Sequence, residues 1–140
     1  MAFITLNTFV DGLEALVVAG VVRSYIHGPP SGAVSTADLP AKFVHLPGIS
    51  GATRLAFGNQ GGKGSLQAQV IILVEPVVQG RPPENFDATV DLVDAFEAAL
   101  IAAGCSIGGI LGWSVRVTIF SVAEIDYWAV VADVEGNRWQ

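Results

Sequence analysis

Residues 66–74 carry the sequence LQAQVIILV, and this stretch decides the fold. Side chains alternate between the two faces of a β-strand, and the alternate set that begins at Leu66 is apolar throughout. The other set begins with Gln67 and Gln69 and continues with Ile71 and Leu73. Because this second face turns from polar to apolar along the strand, we expect a neighbouring element or subunit to cover part of it.

Further strands are predicted on both sides of this stretch. Residues 41–46, AKFVHL, read as a strand that ends at a Pro-Gly pair. Residues 48–64 carry six glycines, which predicts a long loop or an extended hairpin tip. Towards the C-terminus, residues 113–122 alternate in polarity, residues 123–125 make a turn, and residues 126–135 return as the second strand of a β-hairpin.

Two amphipathic helices complete the predicted order. Apolar residues recur at helical spacing within residues 5–22, and a second stripe runs from about residue 85 to residue 103. This stripe consists of Phe86, Val90, Val93, Phe96 or Glu97, and Leu100. Two helices covering one face of a mostly antiparallel sheet of about four strands is the natural arrangement of these elements. We therefore predict an α+β fold, with a long Gly-rich hairpin loop, that forms one domain over residues 1–140.

The composition favours a protein that buries surface against partners. Of the 140 residues, 51% are apolar and only 14% are charged, against about 25% charged in an ordinary soluble domain. The longest apolar runs are short and interrupted, well below the ~20 residues of a membrane-spanning helix. We therefore expect no membrane association and favour self-association as the explanation for the apolar excess.

The charges argue against tight nucleic-acid binding. The formal net charge is −6, and the seven basic residues are scattered, with no two adjacent. A specific nucleic-acid binder normally carries a clustered basic face, whereas an acidic surface repels phosphate. The single Cys105 cannot form an internal disulfide, which fits a protein made in a reducing cytoplasm.

Residues typical of catalysis or of metal and nucleotide binding do not form a recognisable pattern. His27 and His45 have no second ligand at metal-binding spacing, and the aspartates at 87, 91 and 94 favour a solvated helix face over a calcium loop. Residues 58–65, GNQGGKGS, depart from a phosphate-binding loop at Phe57 and Gly64. We predict that the chain is not an enzyme and has no catalytic, cofactor or metal site.

The order of the segments resembles the tail-terminator family of long-tailed bacteriophages. The resemblance covers most of the chain, from the first helix to the last strand. It is carried by an N-terminal amphipathic helix, a Tyr25-Ile26 segment with a Gly-Pro turn, DLPA at 38–41, a strand at 42–46, a Gly-rich tip before QAQVIILV at 67–74, a helix with ATVDLVDA at 88–95, and a closing hairpin with aromatic residues.

This resemblance implies a structural virion protein of the tail neck, assembled in the host cytoplasm. It implies a homohexameric ring that caps the tail tube, ends tube polymerisation and joins the tail to the head connector. The partners would be further copies of the chain, the tail tube protein and the head connector or head-completion protein. DNA would pass through the lumen without specific binding.

The residues expected at interfaces come from the loop, the apolar part of the second strand face and the aromatic C-terminal region. They are Arg54, Phe57, Lys63, Ile71, Leu73, Trp128 and Trp139. Two alternatives stay open. The first is another subunit of the same virion, such as a head-completion, adaptor or tail-tube protein, and the second is a small enzyme or ligand-binding domain.

Overall fold

The structure, a computed structural model, describes residues 4–46, 53–55, 64–78, 86–103 and 110–137. Two α-helices, six β-strands and one 3-10 turn at Thr36–Asp38 make up these parts of the chain. In chain order the elements are α1 (Leu6–Glu14), β1 (Arg23–Ser24), β2 (Ala41–His45), β3 (Thr53–Leu55), β4 (Gly64–Pro76), α2 (Phe86–Ala103), β5 (Ile110–Val122) and β6 (Ile125–Asn137). Neither helix is long and apolar enough to cross a membrane.

All six strands join one sheet, in the order β1-β2-β4-β6-β5, and β3 pairs with the beginning of β4. Only the β1–β2 pair is parallel. The predicted α+β fold with a mostly antiparallel sheet is confirmed. The sheet has six strands where about four were expected, because β1 and β3 contain only two and three residues and give little periodic signal.

Both helices pack on one face of the sheet, as predicted. Phe9 and Leu13 of α1 and Leu92, Phe96 and Leu100 of α2 are buried against alternate residues of β4 and β6. We call this side the helix face. The docking is close, since a Cβ atom added at Gly136 of β6 would lie 2.7 Å from Cε2 of Phe9.

The first helix is shorter than predicted, because α1 ends at Glu14 and not near residue 22. From Leu16 onwards the burial pattern changes to alternation: Leu16 and Val18 are buried, whereas Val17 is 85% exposed. Alternate burial is the signature of an extended chain. The chain after α1 therefore still contributes apolar side chains to the core, but in an extended conformation and not as a helix.

The predicted stripe of the second helix is wrong in the first turns and correct towards its end. Its buried residues are Thr89, Leu92, Phe96 and Leu100, while Phe86 and Val90 are exposed. The aspartates at positions 87, 91 and 94 are exposed, as expected for a solvated face.

The opposite side of the sheet, here called the segment face, is covered by residues 25–39 of the same chain. Ile71 and Leu73 are completely buried there, together with Phe43 and residues of β6. The sheet coils around this cluster. The ring of Phe120 in β5 lies 5.7 Å from that of Phe43 in β2, although two strands separate them and a flat sheet would place the strands ~14 Å apart.

Candidate assembly surface

Strand β5 forms one edge of the sheet and is its longest open element. Its thirteen residues, Ile110–Val122, pair with β6 on one side, and no described strand pairs with the other side. An edge strand carries a row of N–H and C=O groups that are free to pair with another chain. This edge is therefore a ready site for strand addition.

Apolar side chains reinforce this edge. Val117 is 43% exposed and Ile119 is 47% exposed, and both point to the helix face. Trp113 and Val115, earlier on the same face of β5, pack against the helix-face core. The cover provided by the helices therefore stops part-way along β5, and the strand presents β-branched side chains to solvent beyond that point.

The devices that usually protect an edge strand are scarce on β5. Proteins blunt such edges with charged residues, proline or very short strands. The only charged side chain in β5 is Arg116, and it is ion-paired with Asp133 of the neighbouring β6. An edge with this composition is suited to association.

The opposite edge of the sheet is open over a shorter length. Strand β1 covers only Ala41 and Lys42 of β2. Residues 43–45 of β2 pair with β4 on one side, and no described strand lies on their other side. The subunit therefore carries two unlike edges, one long and one short, which is what a head-to-tail contact between copies requires.

The predicted interface residues are distributed over different parts of the molecule. Arg54 lies in β3 opposite Ser65 of β4, in an antiparallel pair, and the Gly-rich residues 56–63 between these strands lie outside the described residues. Ile71 and Leu73 are core residues and present no surface to a partner, because residues 25–39 cover them. Trp128 is partly exposed and lines a cleft at one end of the sheet. Phe57, Lys63 and Trp139 lie outside the described residues.

A row of polar side chains crosses the segment face beyond its apolar cluster. The Nδ1 atom of His45 lies 3.1 Å from Oε1 of Gln69, and Nε2 of Gln69 donates to Asp133 over 2.8 Å. Asp133 also binds Arg116, as noted above. Each member of this row has a partner, so the row joins β2, β4, β6 and β5 by side-chain contacts.

Lys42 is the one charged residue among the buried residues of the described chain, at 1% exposure. Its Nζ donates to the carbonyl oxygen of Glu14 over 3.0 Å, at the end of α1. Burial lowers the pKa of Lys42 from 10.5 to about 8, and the nearby Glu14 carboxylate only partly offsets this effect. Because its ammonium group donates to the carbonyl oxygen at the end of the helix, we interpret Lys42 as a cap of the α1 C-terminus.

Metal-binding groups are also absent from the described parts of the chain, where no three His, Cys, Asp or Glu side chains come together. The aromatic residues of the β5–β6 hairpin lie on different surfaces: Trp113 packs on the helix face, Tyr127 is buried on the segment face, and Trp128 lines the cleft.

Sequence reasoning missed the β5 edge because the order of the strands in the sheet decides which strand is outermost. The periodicity of the sequence does not reveal that order. The one available signal was that residues 110–122 are almost uncharged yet alternate as a strand. The chain matches no known family model, and no curated protein matches it.

Proposed function

We propose that this chain is a structural subunit that assembles into a ring, and that the ring caps a bacteriophage tail tube as a tail terminator. The observation that carries the ring is the thirteen-residue open edge of β5 with exposed Val117 and Ile119. The tube-capping role rests on the resemblance of the segment order to the tail-terminator family. A head-completion, adaptor or tube subunit of the same virion would use the same edge.

Strand addition gives the proposal its mechanism. When the β5 edge of one copy meets the shorter open edge at residues 43–45 of the next, backbone hydrogen bonds extend the sheet from subunit to subunit. A head-to-tail contact of this kind closes into a ring when its rotation divides the circle evenly. Burial of Val117 and Ile119 would add the apolar contribution to each contact.

The charge distribution supports the passage of DNA without capture. The outer face of α2 exposes Asp87, Asp91, Asp94 and Glu97, and α2 contains no basic residue. A channel surface of this sign repels phosphate and so does not retain the duplex.

The first experiment is native mass spectrometry of the purified protein at micromolar concentration, with negative-stain imaging of the same sample. We expect a hexamer with an open centre. The informative variant replaces Val117 and Ile119 with lysine, which places charge on the β5 edge and should leave monomers with an unchanged circular dichroism spectrum. The matched control replaces Val17 and Ile101, which are more exposed and lie outside β5, and should retain the ring.

The tube-capping role is tested by adding cognate tail tubes and imaging their ends. Density on one end of each tube supports a terminator, whereas binding to the portal side of heads alone supports a head-completion protein. A compact monomer that binds neither would overturn the assembly proposal. Loss of the ring in the control variant but not in the β5 variant would refute the role of the β5 edge.

A further inference from the structure

A cleft of about 440 Å³ lies at the end of the sheet where β4 finishes and β6 begins. Its wall comes from both layers of the fold, since it includes the 3-10 turn and the residues after it, the end of β4, the first half of α2 and the start of β6. The described lining residues are Thr36, Leu39, Pro40, Val74, Glu75, Pro76, Val78, Ala88, Leu92 and Trp128. A volume of this size is within the range of ligand sites in proteins.

Glu75 is the only ionisable residue among the described residues of this lining, and its carboxylate is incompletely satisfied. The Oε1 atom is buried and has no hydrogen-bond partner among the residues that the structure describes. A buried carboxylate oxygen without a partner is costly, and unsatisfied groups of this kind are rare in native proteins. No lysine or arginine of the described lining offsets the charge.

A β-bulge brings Glu75 together with Trp128. The pairing of β4 with β6 shifts between Leu73 and Glu75, so that Glu75 faces Trp128 across the two strands. Bulges of this kind re-aim side chains and are common beside functional sites. Where an aromatic ring lies beside a carboxylate, a cation is attracted both by the charge of the carboxylate and by the face of the aromatic π-system.

The remaining lining suits an alkyl chain. Leu39, Val74, Leu92 and the two prolines provide an apolar wall, and Thr36 contributes a single hydroxyl. This combination of one anionic group, one aromatic ring and an apolar wall matches the side chain of lysine or arginine, which carries its charge at the end of a hydrocarbon stem.

We propose that this cleft binds an alkylammonium or alkylguanidinium group, with the cation at Glu75 and Trp128 and the stem against the apolar wall. The group belongs either to a free amine or to a basic side chain on another protein. The site stands independently of ring formation, because it lies outside the open edge of β5.

The test uses the full chain labelled with ¹⁵N and follows the indole N–H of Trp128 and the amide of Glu75 by NMR. Three probes are titrated to high millimolar concentration at pH 7: n-butylammonium, the neutral 1-butanol, and the peptide acetyl-Ala-Lys-Ala-amide. We expect saturable shifts at these two positions with a cationic probe and an affinity at least about tenfold lower for butanol, as the loss of one charge contact implies.

Two variants separate charge from shape. Glu75→Gln keeps the size of the side chain and should weaken cation binding by about tenfold or more while leaving butanol unaffected. Glu97→Gln, on the exposed side of α2, is the matched control and should bind like the wild type. Because Glu75→Gln removes an unpaired charge, we expect it to fold, and its amide spectrum verifies this.

Each outcome decides the proposal. Saturation by butylammonium indicates a site for free amines, and saturation by the peptide alone indicates a basic side chain of a partner protein. Equal affinity for butanol and butylammonium, full cation binding by Glu75→Gln, or no saturable shift with either cation would overturn the proposal. None of these results depends on whether the protein forms a ring.

Discussion

The two faces of the sheet are closed in different ways. On the helix face, α1 and α2 insert large side chains such as Phe9 and Phe96 into the core. On the segment face, the irregular residues 25–39 cover the core, and the buried hydroxyl of Tyr127 forms hydrogen bonds with the backbone of Val34. A helix packs against the sheet along its whole length. An irregular segment has few internal hydrogen bonds, so its position depends on individual side-chain contacts.

The largest expected effect on the helix face comes from the buried ammonium group of Lys42. Because the pKa of Lys42 falls from 10.5 in the unfolded chain to about 8 in the folded one, the folded protein binds fewer protons between these pH values. The cost of burying the ammonium is fully present below pH 8 and is relieved as the pH rises towards 10.5. Between pH 7 and pH 10, the wild type should gain on the order of 2.5 kcal/mol of unfolding free energy relative to Lys42→Met.

Urea denaturation of both proteins at the two pH values measures this gain. Other titrating groups are common to both proteins and cancel in the difference. The replacement Lys42→Arg keeps the charge at all these pH values and serves as the control, since its stability relative to Lys42→Met should not change with pH. A constant difference between the wild type and Lys42→Met would show that Lys42 is not held at a lowered pKa.

The close contact between α1 and β6 provides the next test. Gly136→Ala places a methyl carbon 2.7 Å from Cε2 of Phe9, so the ring or the helix must shift, and we expect a loss of about 2 kcal/mol. Gly112→Ala in β5 is the matched control, because a Cβ atom there meets open space. Thermal unfolding of the two variants should differ clearly, and a Gly136→Ala variant as stable as Gly112→Ala would contradict the close docking.

The segment face should respond to the loss of a single hydroxyl. Tyr127→Phe leaves the N–H of Val34, which donates to Tyr127 Oη over 3.2 Å, without its partner in a buried site. We expect a loss of about 1.5 kcal/mol. Hydrogen exchange should accelerate at residues 33–39 while the amides of α1 keep their protection, and uniform acceleration over both faces would remove the distinction drawn between them.

The difference between the faces also explains how much of the fold could be predicted. Strong alternation located β4 and the β5–β6 hairpin, and helical spacing located α2, because these elements bury one side against a regular surface. The cover over Ile71 and Leu73 could not be predicted, since residues 25–39 have no period. The apolar excess at these two residues was therefore assigned to a partner when the chain itself supplies the cover.

The candidate sites were less accessible to sequence reasoning. The sequence predicts Trp128 as an interface residue but does not place Glu75 beside it, because the bulge between Leu73 and Glu75 that decides their pairing has no effect on the periodicity. Val117 and Ile119 read as ordinary strand residues until the strand order places β5 at the edge. Both sites depend on long-range pairing, which a single sequence encodes only weakly.

The turn of the β5–β6 hairpin lies on neither face, so a substitution there serves as a reference for comparing the helix face with the segment face. Ala123 and Glu124 both have positive φ, at 51° and 65°, a conformation that costs residues other than glycine about 1 kcal/mol. Glu124→Gly should therefore stabilise the protein by about 1 kcal/mol in urea denaturation. The same substitution at Glu135, inside β6, should destabilise it, because glycine weakens a strand without relieving a left-handed residue. Because residues 33–39 are expected to open locally, the stabilisation at Glu124 should slow hydrogen exchange in α1 and leave residues 33–39 nearly unchanged. Equal slowing in both would show that the two covers open only together with the whole sheet.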